Sequence, residues 1–480
     1  MIGFALSWLG IWRRKLVPTL GSMHQQFAIP DGATRASELR RGAADPTRPS
    51  GRSPWRMILL ASLGGALELY DFVVFGVFAS AIGAAFFPTA NPLVSQMLAY
   101  AGFAIGYFAR PVGGIVLGHF GDRVGRRIVF VGSMLVVSVV TLAMGLLPTY
   151  AQWGAAAPLL LLALRLVQGF CLGSELPGAI TYAVETVPQR ASLVCGVVFA
   201  CVNAGVLLAT LVNLGVQELL PPAALPGWGW RIGFLVGGLL GLLGFRLRRA
   251  LEETPAFAQM QRRVARLPLR EVIAAHPRPV LVGIASTAAT AGFTGLLFVH
   301  MRGYLVAVLH YDAGRVAIAL NVAIAAASFG LLAVGWLGDH VPRRGLLAAG
   351  AALLLVGCWP WYMAAVEHTA PLIVLLVLAA VGASFAGGVF GAVIADLFPT
   401  RVRYTGVALA YNVSFTAFSG TAPLLATVAI SATGSAAAPA LVMGSSAALA
   451  LLGSLWSERH GGQVGVPAFP RGSSRDGAGF

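Results

Sequence analysis

Apolar residues in this chain come in long unbroken blocks separated by short polar joints, and nowhere do they alternate with polar residues over a useful length. A helix that crosses a hydrocarbon core needs roughly 20 consecutive apolar residues. Read with that ruler, the chain predicts about twelve spans, near 57–86, 96–119, 128–147, 157–186, 193–219, 230–248, 280–308, 314–337, 345–366, 370–396, 404–429 and 436–456. A charged stretch, 249–278, parts the sixth from the seventh and carries Arg249, Arg262, Arg263, Arg266 and Arg270. The expected fold is all-α and integral to a membrane, with twelve transmembrane helices in two pseudo-symmetric six-helix bundles. The expected organisation is an N-terminal arm over 1–54, a first bundle over 55–248, a linker over 249–278, a second bundle over 279–456 and a tail over 457–480.

Composition agrees. Of the 480 residues, 57% are hydrophobic and 11% charged, against about 25% charged in a soluble domain. So little charge cannot cover a water-facing surface, which leaves lipid as the main solvent. The net charge of +15 would suggest nucleic acid in a soluble protein, but its placement excludes that. Of the 33 basic residues, 28 fall in the arm, the tail and every second loop. The loops at 88–95, 148–156, 220–229, 364–370 and 430–435 carry none. Basic residues collect on the cytoplasmic side of a membrane, so the expected topology has both termini in the cytoplasm, in a plasma (inner) membrane. The apolar stretch Met1–Gly10 precedes Arg13, Arg14 and Lys15, the reverse of a signal peptide. Residues 20–56 are rich in Arg, Pro, Gly and Ser and read as disordered. Cys171, Cys195, Cys201 and Cys358 lie within apolar blocks without metal-ligand spacing, and read as packing residues.

The two halves repeat each other. Gly118-His-Phe-Gly-Asp122-Arg-Val-Gly125-Arg126-Arg127 follows span 2, and Gly335-Trp-Leu-Gly-Asp339-His-Val-Pro342-Arg343-Arg344 follows span 8. Glu185-Thr-Val-Pro188-Gln-Arg190 ends span 4, and Asp396-Leu-Phe-Pro399-Thr-Arg401 ends span 10. The offsets, 217 and 211, report one half-to-half shift, the mark of many transporter folds. The expected device is a latch on the basic side. In it Asp122 and Asp339 face helix N-termini, where negative charge is favoured, and Arg126 and Arg127 pair with Glu185. Arg123, Arg343 and Arg403 fit plain interfacial anchoring better, although Arg343 occupies the latch position in the repeat.

These segments resemble the major facilitator superfamily. Gly118–Arg127 is similar to its signature loop between helices 2 and 3, and Arg165-Leu-Val-Gln168-Gly169 to a motif of its proton-coupled members. Glu68-Leu-Tyr70-Asp71-Phe72, Arg110-Pro111-Val-Gly113-Gly114, Gly173-Ser-Glu175 and Phe398-Pro-Thr-Arg401-Val-Arg403-Tyr404 are similar to its metabolite:proton symporters. The resemblance covers 55–456 and implies the major facilitator fold and proton symport of a small carboxylate or zwitterion. The sequence departs from the pattern at Pro342, where a glycine is expected, and at Ser174.

Ionisable groups at membrane depth cost roughly 2.5–3.5 kcal/mol each on insertion scales, so they are functional candidates by default. Glu68 and Asp71 share a face of span 1, and one scheme has Arg110 neutralise one acid while the other carries the proton; the alternative is a static ion pair. Glu175 is a second proton-carrier candidate. Arg165, to which the resemblance also assigns proton coupling, and Arg302 are placed to flank a carboxylate bidentately, although Arg302 fits interfacial snorkelling equally. Arg110, Tyr70, Gln168, Tyr411 and Asn412 complete the expected binding set, and Gly118, Gly125, Asp339, Arg343, Asp396 and Arg401 the expected gate. His300 reads as a packing residue. No phosphate loop, paired histidines or C-x-x-C is present, which argues against an enzyme, a nucleotide-driven pump and a cofactor. The expected function is therefore proton-coupled symport by a monomer, with a proton/drug antiporter of the same fold as the alternative.

Overall fold

A computed structural model describes residues 54–221, 224–251 and 268–458. The expected arm, nearly all of the tail, and linker residues 252–267 lie outside these. Among the described residues, eleven helices are long and apolar enough to cross a membrane: α1 (Pro54–Val77), α3 (Arg126–Gly145), α4 (Ala156–Thr186), α5 (Pro188–Val216), α6 (Gly227–Arg248), α7 (Pro277–Val308), α8 (Ala313–Gly338), α9 (Arg343–Val366), α10 (Leu372–Asp396), α11 (Thr400–Thr433) and α12 (Pro439–Trp456). A twelfth long helix, α2 (Pro92–Val124), carries Arg110 and Pro111 and completes the set. A short helix, Ala79–Phe86, prolongs α1, and another, Pro268–Ala275, leads into α7.

The helices form two six-helix bundles whose internal packing follows one scheme. In the first, α1 packs on α5, α3 on α6 and α2 on α4; in the second, α7 packs on α11, α9 on α12 and α8 on α10. The bundles meet along α2–α11 and α5–α8. Leu211, Phe329, Val356, Leu424 and Leu452 stay exposed on the outer faces, as lipid as solvent allows.

Small residues set the closest approach. A Cβ on Gly113 would run into the Phe170 carbonyl, and one on Gly169 into that of Gly106, so α2 and α4 pack backbone against backbone. That contact brings Arg110 and Arg165 into the same bundle interior. Several rods are irregular where they line the interior. α4 breaks at Gly173–Ser174, α10 breaks at Gly388–Val389, α7 has wide turns over Leu296–His300 and Tyr304–Val308, and α11 has one over Phe415–Gly420. Wide turns inside helices are frequent at functional sites.

Candidate transport site and gate

Apart from the pairs at the basic ends of the helices, the described interior of the first bundle holds three carboxylate–guanidinium pairs, all nearly without solvent contact. Glu68 on α1 meets Arg110 on α2 at 2.5 Å. Asp71 on α1 meets Arg165 on α4 at 2.8 Å. Glu175 on α4 meets Arg248 on α6 at 2.6 Å. Both acids of span 1 therefore have a guanidinium of their own: Arg110 serves Glu68, and Asp71 takes Arg165. The reason is the α2–α4 contact, which delivers a second arginine to the α1 face. Arg165 also donates to Gln168 Oε1 at 2.6 Å, and Gln168 in turn donates to Thr141 at 2.8 Å. The Arg165 guanidinium lies 4.1 Å from the Phe75 ring centroid and 5.5 Å from that of Phe234, an arrangement that favours a buried cation.

At the basic ends of the helices the halves are tied together. Asp122 accepts hydrogen bonds from the Tyr404 N–H at 3.3 Å, the Thr405 N–H at 2.8 Å and the Thr405 hydroxyl at 2.8 Å. Asp339 accepts from the Ser192 N–H at 2.8 Å and the Leu193 N–H at 3.2 Å. Each aspartate thus sits on the start of a helix in the opposite bundle, where unsatisfied N–H groups and the helix dipole hold an anion. Arg126 pairs with Glu185 inside the first bundle and donates to the Thr400 carbonyl across the interface at 2.7 Å. Arg343 pairs with Asp396 at 2.5 Å, and Arg403 reaches Glu185 at 3.0 Å. Anchoring therefore does not describe Arg343 and Arg403: both are half-buried and bonded to carboxylates, Arg403 across the interface. Arg123 is exposed. Arg127 is exposed and donates to the Arg249 carbonyl, and Arg126 and Arg403 both pair with Glu185. Arg401 meets Glu271 of the connecting helix at 2.6 Å. Gly118 abuts Thr405, and Gly125 carries φ 125°, a conformation glycine alone takes without strain.

Beyond these contacts a cavity opens between the bundles. Glu68, Tyr107, Phe199 and Asn203 line it from the first half, and Thr290, Thr294, Ser384, Phe390, Tyr411 and Phe415 from the second. Several expected binding residues lie elsewhere. Arg165 and Gln168 are spent within the first bundle. Tyr70 turns inward and donates to the Gly233 carbonyl at 2.9 Å. Arg302 is exposed on α7, so the two-arginine clamp does not form. Asn412 donates to the Gly173 carbonyl across the interface at 2.7 Å, bonding the halves. Arg110 stands behind Glu68, with its guanidinium 5.0 Å from the Tyr107 ring centroid. His300 is half-buried and stacks on Tyr304, with ring centroids 5.4 Å apart.

Sequence reasoning missed Arg248, counting it with the loop arginines. It has no solvent exposure. Besides Glu175, it donates to the Leu60 carbonyl at 3.1 Å and to that of Ala61. Ser133 donates to the other Glu175 oxygen at 2.6 Å. A signal was present: Gly237, Gly241, Gly244 and Arg248 recur at helical spacing, so Arg248 continues the buried small-residue stripe of α6.

The Major Facilitator Superfamily family profile matches residues 73–415. The glycine betaine/proline/ectoine/pipecolic acid transporter OusA of Dickeya dadantii is 33% identical over 374 residues, 75% of this chain and 74% of that one. The citrate-proton symporter of Klebsiella pneumoniae is 31% identical over 435 residues, 89% of this chain and 97% of that one. In fold, the proton:xylose symporter XylE bound to 6-bromo-6-deoxy-D-glucose superposes with a TM-score of 0.70 at 16% identity, covering 85% of this chain and 95% of that one. Twelve long helices in two repeated bundles, a central cavity between them and a profile match over most of the chain lead to one conclusion: the protein belongs to the Major Facilitator Superfamily, and is a membrane transporter and not an enzyme.

Proposed function

We propose that the protein is a monomeric secondary active symporter, moving a small organic acid or zwitterion together with protons by alternating access. It lies in the inner (plasma) membrane with both termini in the cytoplasm, a reading that the basic loops support. The observation that carries the reading is the buried Asp71–Arg165 pair with Gln168 as a second acceptor on the same guanidinium nitrogen. When Asp71 takes a proton its charge is lost, and Arg165 keeps the Gln168 oxygen. When the proton leaves, the ion pair re-forms. Proton binding thereby weakens the α1–α4 link: Arg165 Nη1 keeps one neutral acceptor, but its buried charge loses its counter-ion, which destabilises this arrangement relative to one that rehydrates or re-pairs the guanidinium.

The gate supplies the alternating element. Asp122, Asp339, Arg126 and Arg403 bind across the interface only while the basic side is closed, so they hold the cavity towards the opposite side. Opening requires those bonds to break, and the weaker α1–α4 link together with solute contacts to both bundles shifts that balance. Relatives that carry citrate with protons, or betaine and proline, support the solute class.

The test is uptake into proteoliposomes with an imposed pH gradient and a panel of dicarboxylates, tricarboxylates, proline and betaine. The parent protein accumulates one of these against its gradient. Asp71→Asn lowers gradient-driven accumulation at least about tenfold while exchange of solute without a gradient persists. Unchanged accumulation by Asp71→Asn overturns the role of this pair, and solute movement that never follows the pH gradient overturns symport.

A further inference from the structure

We propose that the cavity takes a net-neutral solute with a cationic head, an alkylammonium or iminium zwitterion, and that Glu68 with a row of aromatic faces holds that head; this rests on the cavity being the transport site. The charge inventory comes first. Among the described lining residues Glu68 is the one carboxylate, and no arginine, lysine or histidine lines the cavity. Arg110, the nearest guanidinium, is already matched to Glu68, and Arg165 is matched to Asp71. The wall is therefore neutral overall. A di- or tricarboxylate would enter a low-dielectric space with no unmatched cation, a cost that grows steeply with its charge.

The Glu68 carboxylate then gives the site its direction. Oε1 faces Arg110, while Oε2 has no hydrogen-bond partner, on a side chain 4% exposed. A buried carboxylate oxygen at a cavity wall is an acceptor for a cation or an N–H donor. Lining the same cavity are Phe199, Phe390, Tyr411 and Phe415. Their neighbouring ring centroids lie 4.8 Å (Phe199–Phe390), 6.5 Å (Phe390–Tyr411) and 4.2 Å (Tyr411–Phe415) apart, and Tyr411 is nearly parallel to both Phe390 and Phe415, at 19° and 20°. The ring faces that stacking leaves uncovered are negative and attract an alkylammonium group, most strongly where water is excluded. The hydroxyl and amide groups of Thr290, Thr294, Ser384 and Asn203 suffice for a single carboxylate at the other end of the solute.

The experiment separates charge from shape. Proteoliposomes with equal pH on both sides are loaded with glycine betaine, and counterflow of labelled glycine betaine is read. Competitors are 3,3-dimethylbutanoate, which has the same shape with carbon in place of the ammonium nitrogen, and citrate. Glycine betaine exchanges, dimethylbutanoate competes at least about tenfold more weakly, and citrate neither competes nor exchanges. Glu68→Gln lowers the apparent affinity for glycine betaine in counterflow about tenfold or more, and Phe390→Leu lowers it more than Phe390→Tyr does, because leucine lacks the ring face. Equal competition by dimethylbutanoate, exchange of citrate, or no betaine exchange by the parent overturns the assignment. Betaine exchange without accumulation under a pH gradient sinks proton symport and leaves the solute class standing.

Discussion

Arg248 shows how much one side chain holds in the first bundle. Its guanidinium ties α6 to Glu175 on α4 and to the Leu60 and Ala61 carbonyls on α1, and lies 3.9 Å from the Phe130 ring centroid. Removing one partner of a buried pair leaves the other charged and costs about 3–5 kcal/mol. Arg248→Ala is therefore expected to lower the melting temperature in detergent markedly, and Arg248→Met combined with Glu175→Leu to recover most of the loss. Equal melting of the single and double variants would show that the charge pair is not what stabilises this site. Gly64 belongs to the same cluster, because a Cβ there would strike both Glu175 and Arg248. Gly64→Ala should destabilise by a comparable route, read in the same assay.

At the scale of the element, the two signature loops use one design with unequal backbones. Gly125 joins α2 to α3 at φ 125°, whereas Pro342 before α9 sits at φ −57°. With ψ at 139°, Gly125 lies in an extended, positive-φ region that costs a side chain roughly 1–3 kcal/mol, so Gly125→Ala should weaken the gate while Pro342→Gly changes it little. The measurement is maleimide labelling of a cysteine at Ala408, a buried position packed against Gly118, with the four native cysteines replaced. Asp122→Asn, which removes the charge from the start of α11, should raise the labelling rate several-fold from the basic side. Asp339→Asn should do so through α5. Labelling unchanged by either variant would mean the aspartates are not the latch.

For the whole molecule, the polarity of charge sets a prediction about sidedness. A tag after Phe480 should resist protease added to intact cells and be cut once the membrane is opened; cleavage in intact cells would reverse the orientation. The helical spans, the repeat at offsets 217 and 211 and the loop carboxylates that bond one half to the other were legible along the chain, because hydrocarbon imposes a length on every span and because a repeated motif marks repeated geometry. Glu68, Asp71, Arg110, Arg165 and Glu175 were legible as buried charges for a similar reason: an ionisable residue in an apolar block stands out whatever surrounds it. Their partners were not. Which guanidinium meets which carboxylate depends on α2 and α4 touching at Gly113 and Gly169, and on the turn of α6 that aims Arg248 inward. Whether Arg302, Tyr70 or Gln168 faced the cavity depended likewise on the rotation of each helix about its axis. Sequence by itself determined that the chain must live in lipid, in two matched halves, with charges that need compensation. Only the tertiary structure decided the pairing of those charges and the neutral, aromatic wall they leave behind, because helix rotation and close approach are set by contacts between residues far apart in the chain.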